Sequence, residues 1–228
     1  MACYSWRPMN TLSKVLLVIG CQRSGTSLLA SMLGRHSEIN MLYESNTRDC
    51  LSMIGKKYNG NKVLAYRQIR WSQRATRFGH VVNRVANLAL SRSKYQRLRP
   101  FPTSSLCIVD YLRHDARLIA ITRDKADVIR SITRRSSMTR RQAEREYERS
   151  KTIIDNLGLL AIRVTYEELV TSPEHIMIRL CNELDLPYEP RMLEGPEYNY
   201  PYPQKRFTVR ESVPRTEAAE SGRRVVIR

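Results

Sequence analysis

Residues 15–33 of this 228-residue chain read VLLVIGCQRSGTSLLASML, and this stretch decides the fold. It opens with five apolar residues in a row, which is typical of a strand buried on both faces of a parallel sheet. Gly20 ends the run, and Gly25 follows it closely. Apolar residues then recur at helical spacing, and Gly34 indicates where that helix stops. The stretch therefore predicts a strand, a loop bounded by two glycines, and a helix.

A loop of this layout favours anions, because its backbone N–H groups and the helix N-terminus point toward one spot. The common nucleotide-binding version, G-x-x-x-x-G-K-[ST], has a lysine after its second glycine. This chain has Thr26 at that position, and Arg23 is the only cation in the loop. The missing lysine argues against an ordinary ATPase or GTPase. A 5′-phosphosulfate suits the loop better, because a sulfuryl group carries less charge and one guanidinium can serve it.

The segment Arg23-Ser24-Gly25-Thr26-Ser27 after an apolar strand resembles the 5′-phosphosulfate loop of sulfotransferases that use 3′-phosphoadenosine 5′-phosphosulfate (PAPS). The arginine is similar to the tyrosylprotein sulfotransferase branch, since the cytosolic small-molecule branch has lysine there. The resemblance implies that these five residues bind the 5′ end of PAPS, which leaves as 3′-phosphoadenosine 5′-phosphate (PAP). A tight strand–helix turn without a ligand is the alternative.

A second basic segment follows another predicted strand, Arg117 to Thr122. Ligands of open α/β sheets lie at the carboxyl ends of the strands, so Arg123 is expected on the same rim as the loop. In the predicted helix that follows, Ser131 and Arg135 share one face. The segment resembles the 3′-phosphate motif of sulfotransferases, which implies that Arg123, Ser131 and Arg135 bind that phosphate. An exposed, solvated basic helix is the alternative.

A candidate general base follows the predicted second strand, Glu38 to Tyr43. Glu44 follows this strand, and in tyrosylprotein sulfotransferases the catalytic glutamate stands at a similar distance from the loop arginine. The resemblance implies that Glu44 takes the proton of the acceptor hydroxyl while Arg23 stabilises the leaving group. Glu44 capping a helix or pairing with an arginine is the alternative. His36 and His80 are other candidate bases.

Residues 164–170, VTYEELV, resemble the strand-end segment that shapes the nucleotide site in the same family. The resemblance implies that Tyr166 contacts the adenosine end of PAPS. A capping box between Thr165 and Glu168 explains the segment equally well and is compatible with that role. Lys205 and Arg206 are expected to close over the 3′-phosphate from the C-terminal side.

Strands and helices alternate along the chain, which predicts an α/β fold. We expect a single three-layer domain with a mainly parallel central sheet of about five strands, a P-loop-like sulfotransferase fold. The domain is expected over residues 14–190, after a loose arm at 1–13 and before a basic segment rich in Pro, Tyr and Arg at 191–228. Further predicted elements are a loop at 55–61, a helix over 67–95, strands at 106–109 and 159–164, and helices over 125–135, 139–156 and 172–184.

One departure from the family concerns the acceptor. Sulfotransferases often carry a lysine or arginine near the end of the third strand, where the predicted strand here is followed by Val109-Asp110-Tyr111. This difference leaves the acceptor open, and tyrosine with it.

The formal net charge of +17 implies an anionic ligand, an acidic substrate or nucleic acid. Nucleic acid is disfavoured because the arginines are spread out and neither an aromatic stacking motif nor zinc-ligand spacing occurs. The five cysteines form no C-x-x-C pair, which indicates free thiols and no metal site. No apolar stretch is long enough to span a membrane, and the N-terminus lacks a signal-peptide core, so a cytoplasmic location is expected.

The predicted function is therefore transfer of a sulfuryl group from PAPS to a hydroxyl of an acidic acceptor, namely a glycan, a peptide tyrosine or a small metabolite. The expected partners are this anionic or hydroxyl-bearing acceptor and, as an open option, a second copy of the chain in a homodimer. One alternative is a divergent P-loop kinase, in which residues 106–110, LCIVD, form a metal-binding strand. The other is a basic nucleic-acid-binding protein.

Overall fold

The structure is a computed structural model that describes residues 13–44, 50, 55–69, 71, 81–82, 84–85 and 108–199. Several predictions lie outside these residues. They are most of the N-terminal arm, nearly all of the helix expected over 67–95, the candidate base His80, and the tail residues Lys205 and Arg206.

A five-stranded sheet forms the centre of the molecule, and every strand pairing in it is parallel. The strands are β1 (Lys14–Gly20), β2 (Ile39–Tyr43), β3 (Tyr58–Leu64), β4 (Arg117–Thr122) and β5 (Ala161–Thr165). Their order is β2-β3-β1-β4-β5, so the apolar run of residues 15–19 lies in the central strand. Every residue of β1 after its first is buried. The predicted α/β fold with a five-stranded parallel sheet is confirmed.

Helices cover both faces of the sheet. They are α1 (Thr26–Leu33), α2 (Ile108–Arg113), α3 (Lys125–Arg135), α4 (Arg140–Asn156), α5 (Tyr166–Thr171) and α6 (Pro173–Glu183), with 3-10 segments at Gly158–Leu160 and Pro190–Tyr198. Successive side chains of a strand point to opposite faces. Leu16 and Val18 of β1 accordingly pack with α1, α5 and α6, whereas Leu17 and Ile19 pack with α2 and α4. Each fully buried side chain of this kind contributes roughly 1.5–3 kcal/mol, so the two cores hold the strand ends in fixed positions.

The third strand was predicted in the wrong place. Residues 108–109, expected as a strand, begin helix α2, whereas Tyr58–Leu64, of which residues 58–61 were expected as a loop, form β3 between β1 and β2. Arg67 and Gln68 lie in a turn rather than at the start of a long helix. The kinase alternative loses its metal-binding strand, because residues 108–110 are helical.

The polar composition of β3 explains this error. The strand carries three buried polar side chains, and each of them has a partner: Asn59 accepts from Asn40 (3.2 Å), Asn61 donates to Tyr111 (3.4 Å), and Lys62 pairs with Glu44. Both edges of the strand are hydrogen-bonded to neighbouring strands. This strand is therefore buried although its sequence lacks the apolar pattern from which buried strands are predicted.

The predicted helix starts are largely confirmed. Asp124 accepts from the backbone N–H of Asp127 at the start of α3, and both predicted capping boxes are present, Thr139 with Gln142 and Thr165 with Glu168. Ser172 precedes α6 as expected, but its side chain makes no capping bond. These caps determine where α3 and α5 begin, directly after the carboxyl ends of β4 and β5.

The segment Pro190–Tyr198 packs against α1. A Cβ placed on Gly195 would lie 2.5 Å from the backbone of Met32, so the two segments approach as closely as a glycine allows. The division of the chain at residue 190 stays a prediction. Within the described residues, no helix combines the length and the apolar character needed to cross a membrane.

Candidate active site

The loop between β1 and α1 is shaped by its two glycines. A Cβ on Gly20 would lie 2.6 Å from Thr26 Cγ2 and 2.7 Å from the carbonyl oxygen of Ile121. Gly25 has φ 95°, a left-handed conformation that favours glycine, and it forms the N-cap of α1. The sequence thus permits a tight turn that brings the N-terminus of α1 against the end of β4.

The hydroxyl groups of the loop differ in their surroundings. Ser24 is buried and donates to the carbonyl of Cys21 at 2.6 Å, so its hydroxyl holds the loop in shape. Thr26 is also buried, whereas Ser27 is half-buried in the first turn of α1. Of these three residues, Ser27 is the one whose side chain reaches the surface at the helix N-terminus.

The second basic segment meets the loop at Arg23. Arg23 Nε donates to Ser131 Oγ at 3.0 Å, and Arg123 Nη1 donates to the carbonyl oxygen of Arg23 at 3.3 Å. Arg123 lies directly after β4, and Ser131 lies in the middle of α3. Arg135 is exposed one turn beyond Ser131. The structure therefore brings Arg23, Arg123 and Ser131 together at one rim, with Arg135 on the same helix.

Tyr166 opens α5 at the end of β5. Its ring packs on the loop, since a Cβ on Gly25 would lie 2.5 Å from Tyr166 Cδ2. The guanidinium carbon of Arg123 lies 4.1 Å from the centroid of the same ring. Tyr166 thus contacts both the loop at Gly25 and the guanidinium of Arg123.

Glu44 lies directly after β2, with a left-handed φ of 53°. Its Oε1 lies 2.5 Å from Lys62 Nζ, and its Oε2 accepts from Gln68 Nε2 at 2.7 Å. Among the described residues, the cation that pairs with Glu44 is Lys62. Because both carboxylate oxygens are held, the group is fixed at the carboxyl end of β2, on the rim that also carries the loop.

Lys62 and Gln68 were missed in the sequence. Lys62 pairs with Tyr43 in the β2–β3 register, and its side chain is 4% exposed. A charged residue this well buried signals a functional or structural pair. That signal depends on recognising β3 as a strand, and the residues around Lys62 are too polar to show it.

The other candidate base described in the structure, His36, lies at the opposite edge of the sheet, just before β2 begins. It is buried, its Nε2 is 2.8 Å from the carbonyl oxygen of Pro187, and its Nδ1 accepts from the N–H of Glu38. Both ring nitrogens are used by the backbone, and the ring is far from the loop end of β1. His36 therefore holds the turn before β2 and does not belong to the site.

The cysteine of the loop, Cys21, has an unreactive thiol. Burial, reinforced by the nearby Glu146 carboxylate, raises the pKa of the Cys21 thiol to about 12. The thiolate is the reactive form of cysteine, so Cys21 fills space at neutral pH and is not a nucleophile. Cys50 and Cys181, the other described cysteines, are also buried and free.

A pocket of about 310 Å³ adjoins the rim between the β4–α3 turn, α4 and the end of β5. Its lining combines apolar walls with charged groups from three elements, among them Arg123, Lys151 and Glu167. The rim thus combines a turn that carries Arg123 with a neighbouring recess.

A family model described as "Sulfotransferase family" matches residues 16–190. The chain belongs to the sulfotransferase family. Two solved structures are similar to this sulfotransferase at 19% identity and a TM-score of 0.47: the sulfotransferase domain from the curacin biosynthetic pathway and the one from the Synechococcus PCC 7002 olefin synthase. Each match covers 82% of this chain, with 78% of the first domain and 79% of the second. No curated protein matches the chain.

Proposed function

We propose that this sulfotransferase transfers a sulfuryl group from PAPS to a hydroxyl of an acceptor and releases PAP. The observation that carries the proposal is the junction of the two basic segments at Arg23, whose side chain meets Ser131 and whose carbonyl meets Arg123. PAPS is anionic at both its 5′ and 3′ ends. Two cationic segments from adjacent strands, joined at one residue, suit a ligand with two anionic ends.

The loop residues Arg23 to Ser27 are proposed to bind the 5′ end through backbone N–H groups and the half-buried hydroxyl of Ser27. Arg123, Ser131 and Arg135 are proposed to bind the 3′-phosphate. Arginine suits both tasks, because its planar guanidinium donates paired hydrogen bonds to phosphate oxygens. The recess beside Arg123 offers room next to the rim for the nucleoside part.

In the reaction, PAPS supplies a sulfuryl group that is activated by its bond to the 5′-phosphate. Glu44 takes the proton of the acceptor hydroxyl as the new oxygen–sulfur bond forms. Arg23 stabilises the negative charge that the phosphate oxygen gains as its bond to sulfur breaks. Lys62 and Gln68 hold the Glu44 carboxylate in place, each through one oxygen.

The acceptor is proposed to be acidic, since the chain carries a formal net charge of +17. With β3 at Tyr58–Leu64, Lys62 stands near the end of the third strand, where the family often carries a cation. The apparent departure at residues 109–111 therefore no longer argues against a tyrosine acceptor. An arrangement like that of tyrosylprotein sulfotransferases, a cytoplasmic location and a homodimer stay predictions.

Thermal stabilisation by ligands tests the proposal. PAP at 100 times its dissociation constant should add about 2.7 kcal/mol to the free energy of unfolding, and ATP with Mg²⁺ at the same concentration should add less. A larger shift with ATP and Mg²⁺ would favour a kinase. Steep, salt-dependent binding to DNA without any response to PAP would favour a nucleic-acid-binding protein.

A matched pair of variants makes the test specific to the rim. Arg123→Ala should abolish most of the stabilisation by PAP. Arg134→Ala removes an exposed arginine from α3 and should leave the stabilisation by PAP unchanged. Equal responses of the two variants would mean that PAP is bound through overall charge rather than at this site.

A further inference from the structure

The geometry points to Tyr166 and Glu167 as positioning residues that hold Arg123 and the β4–α3 turn against the loop, a role beyond contact with a nucleoside. Tyr166 lies between two groups that bind anions in the proposed function. One is the loop backbone at Gly25, and the other is the guanidinium of Arg123. The inference rests on the proposed function for the identity of the ligand, but not for the contacts themselves.

The first contact leaves no space between the ring and the loop. A Cβ on Gly25 would lie 2.5 Å from Tyr166 Cδ2, a separation that real Cβ atoms do not show. Gly25 is the residue from which α1 starts. The ring is therefore seated directly on the backbone that presents the helix N-terminus.

The second contact fixes the guanidinium. Arg123 Cζ lies 4.1 Å from the ring centroid, within the range of a cation–π interaction. Its Nη1 donates to the carbonyl of Arg23 at 3.3 Å, while its Nε is buried and has no hydrogen-bond partner. Its Nη2 also lies 3.9 Å from Asp127 Oδ2 of α3. Because both polar contacts are long, we infer that the ring beside the guanidinium sets its direction.

The backbone of the same turn is held from two sides. Glu167 Oε1 accepts from the N–H of Asp124 at 3.1 Å, and the Tyr147 hydroxyl donates to the carbonyl of Arg123 at 3.4 Å. The capping box of Thr165 and Glu168 sets the start of α5 and hence the positions of Tyr166 and Glu167. One dipeptide at the end of β5 thus links the β4–α3 turn to the β1–α1 loop.

Dissociation constants for PAP and for adenosine 5′-phosphate, measured by calorimetry, test this role, because the two ligands differ only in the 3′-phosphate. Tyr166→Leu should reduce the preference for PAP about tenfold, which is the effect of losing one aligned charge contact. The affinity for adenosine 5′-phosphate should change less than threefold. Tyr166→Phe keeps the ring and should keep the preference. Equal weakening of both ligands by Tyr166→Leu would overturn the inference and indicate a direct contact with the nucleoside.

A second comparison uses Arg123. In the Arg123→Ala background, Tyr166→Leu should change the affinity for PAP by less than twofold, since the group that it positions is gone. An effect as large as in the wild-type chain would overturn the inference. Glu167→Gln, which weakens only the bond to Asp124, should shift the PAP preference in the same direction by a smaller factor.

A measurement without any ligand separates this inference from the proposed function. In a nitrogen–proton NMR spectrum, the Nε–H signal of Arg123, assigned by its loss in Arg123→Lys, should be shifted upfield by the Tyr166 ring. The shift should persist in Tyr166→Phe and vanish in Tyr166→Leu. If the shift is present but the wild-type chain does not prefer PAP, the proposed function fails while the positioning role stands. If the shift is absent, the positioning role fails.

Discussion

Arg23 donates a hydrogen bond of 3.0 Å from its Nε to Oγ of Ser131, a residue 108 positions further along the chain. Arg23 has a left-handed backbone with φ 70°, an uncommon conformation for a residue with a side chain. Such conformations cost on the order of 1–3 kcal/mol and persist where the surroundings hold them. The strain is located at the residue that joins the two basic segments, which is where the proposed binding site requires a fixed geometry.

Removing the Ser131 hydroxyl should weaken binding at this junction. Ser131→Ala should raise the dissociation constant of PAP about tenfold, because a hydrogen bond from a charged donor contributes about 1.5–3 kcal/mol and part of it is replaced by water. Calorimetric titration measures the change. Ser136→Ala is the control, since that hydroxyl donates to the carbonyl of Ile132 at 2.8 Å and accepts from the N–H of Met138 at 3.3 Å, both close to it in sequence. Unchanged PAP binding by Ser131→Ala would remove Ser131 from the site.

Replacing the proposed base should affect turnover and not binding. Glu44→Gln should lower kcat by a factor on the order of 10²–10⁴, the usual contribution of general base catalysis, with an unchanged dissociation constant for PAP. Sulfuryl transfer from PAPS to an acceptor under single-turnover conditions measures the rate. Glu183→Gln, which alters an exposed carboxylate on α6, should leave it unchanged. Full activity of Glu44→Gln would show that another group is the base.

The pair of Glu44 with Lys62 allows a further comparison within the same assay. Lys62→Met should also lower turnover, because the buried ammonium holds Oε1 of the carboxylate at 2.5 Å. Residues that act as one unit give non-additive effects. Lys62→Met should therefore cost less in the Glu44→Gln background than alone, and strictly additive losses would contradict the pairing.

Two of the left-handed glycines, Gly25 and Gly55, allow the cost of backbone strain to be separated from the cost of crowding. Gly55→Ala, at φ 92° with open space around it, should reduce the free energy of unfolding by about 1–2 kcal/mol from strain alone. Gly25→Ala meets the same strain at φ 95° and in addition the Tyr166 ring, so it should cost clearly more and weaken PAP binding. Urea denaturation measures both variants, and equal losses would mean that Tyr166 yields to the new methyl group.

Ionisation of Glu189 should make the stability of the fold depend on pH in the acidic range. Burial raises the pKa of this carboxyl, but hydrogen bonds from Ser37 and Arg191 outweigh it and lower the pKa from 4.5 to about 2. A depressed pKa stabilises the fold while the group is ionised, and this contribution is lost as the pH falls from about 4.5 through about 2. Glu189→Gln should therefore lower the Tm at neutral pH.

Thermal unfolding followed between about pH 7 and about pH 2.5 measures this dependence. The Tm difference between the wild-type chain and Glu189→Gln should be constant down to about pH 5 and then shrink, because the wild-type group becomes protonated. Glu183→Gln again serves as the control. A difference that does not change with pH would show that the variant acts through packing of the 3-10 segment and not through charge.

Local patterns in the sequence predicted a large part of this fold. The apolar run of β1 predicts a strand buried on both faces, because only a central parallel strand can bury such a run. Capping residues mark the starts of α3, α4 and α5, because short side chains satisfy the free N–H groups of a helix end. These features depend on neighbours within a few positions, so they can be read without knowledge of the tertiary structure.

The third strand could not be predicted in this way. Among the described residues, Asn59, Asn61 and Lys62 find buried partners in β2, α2 and Glu44, which lie 18 to 50 positions away in the chain. Lys62 and Gln68 of the candidate site were missed for the same reason, because nothing in the neighbouring sequence identifies them as partners of Glu44. His36 was a reasonable candidate by residue type, but its position at the wrong edge of the sheet follows from the direction of β2.

By itself, the sequence determined the central strand, the glycine-bounded loop and the basic residues that follow the strand ends, because each depends on local conformational preference. Only the tertiary structure decided that Arg23 meets Ser131, that Lys62 holds Glu44, and that Tyr166 lies between Gly25 and Arg123. These contacts join segments far apart in the chain. They exist because the parallel register of the sheet brings the carboxyl ends of the strands to one edge.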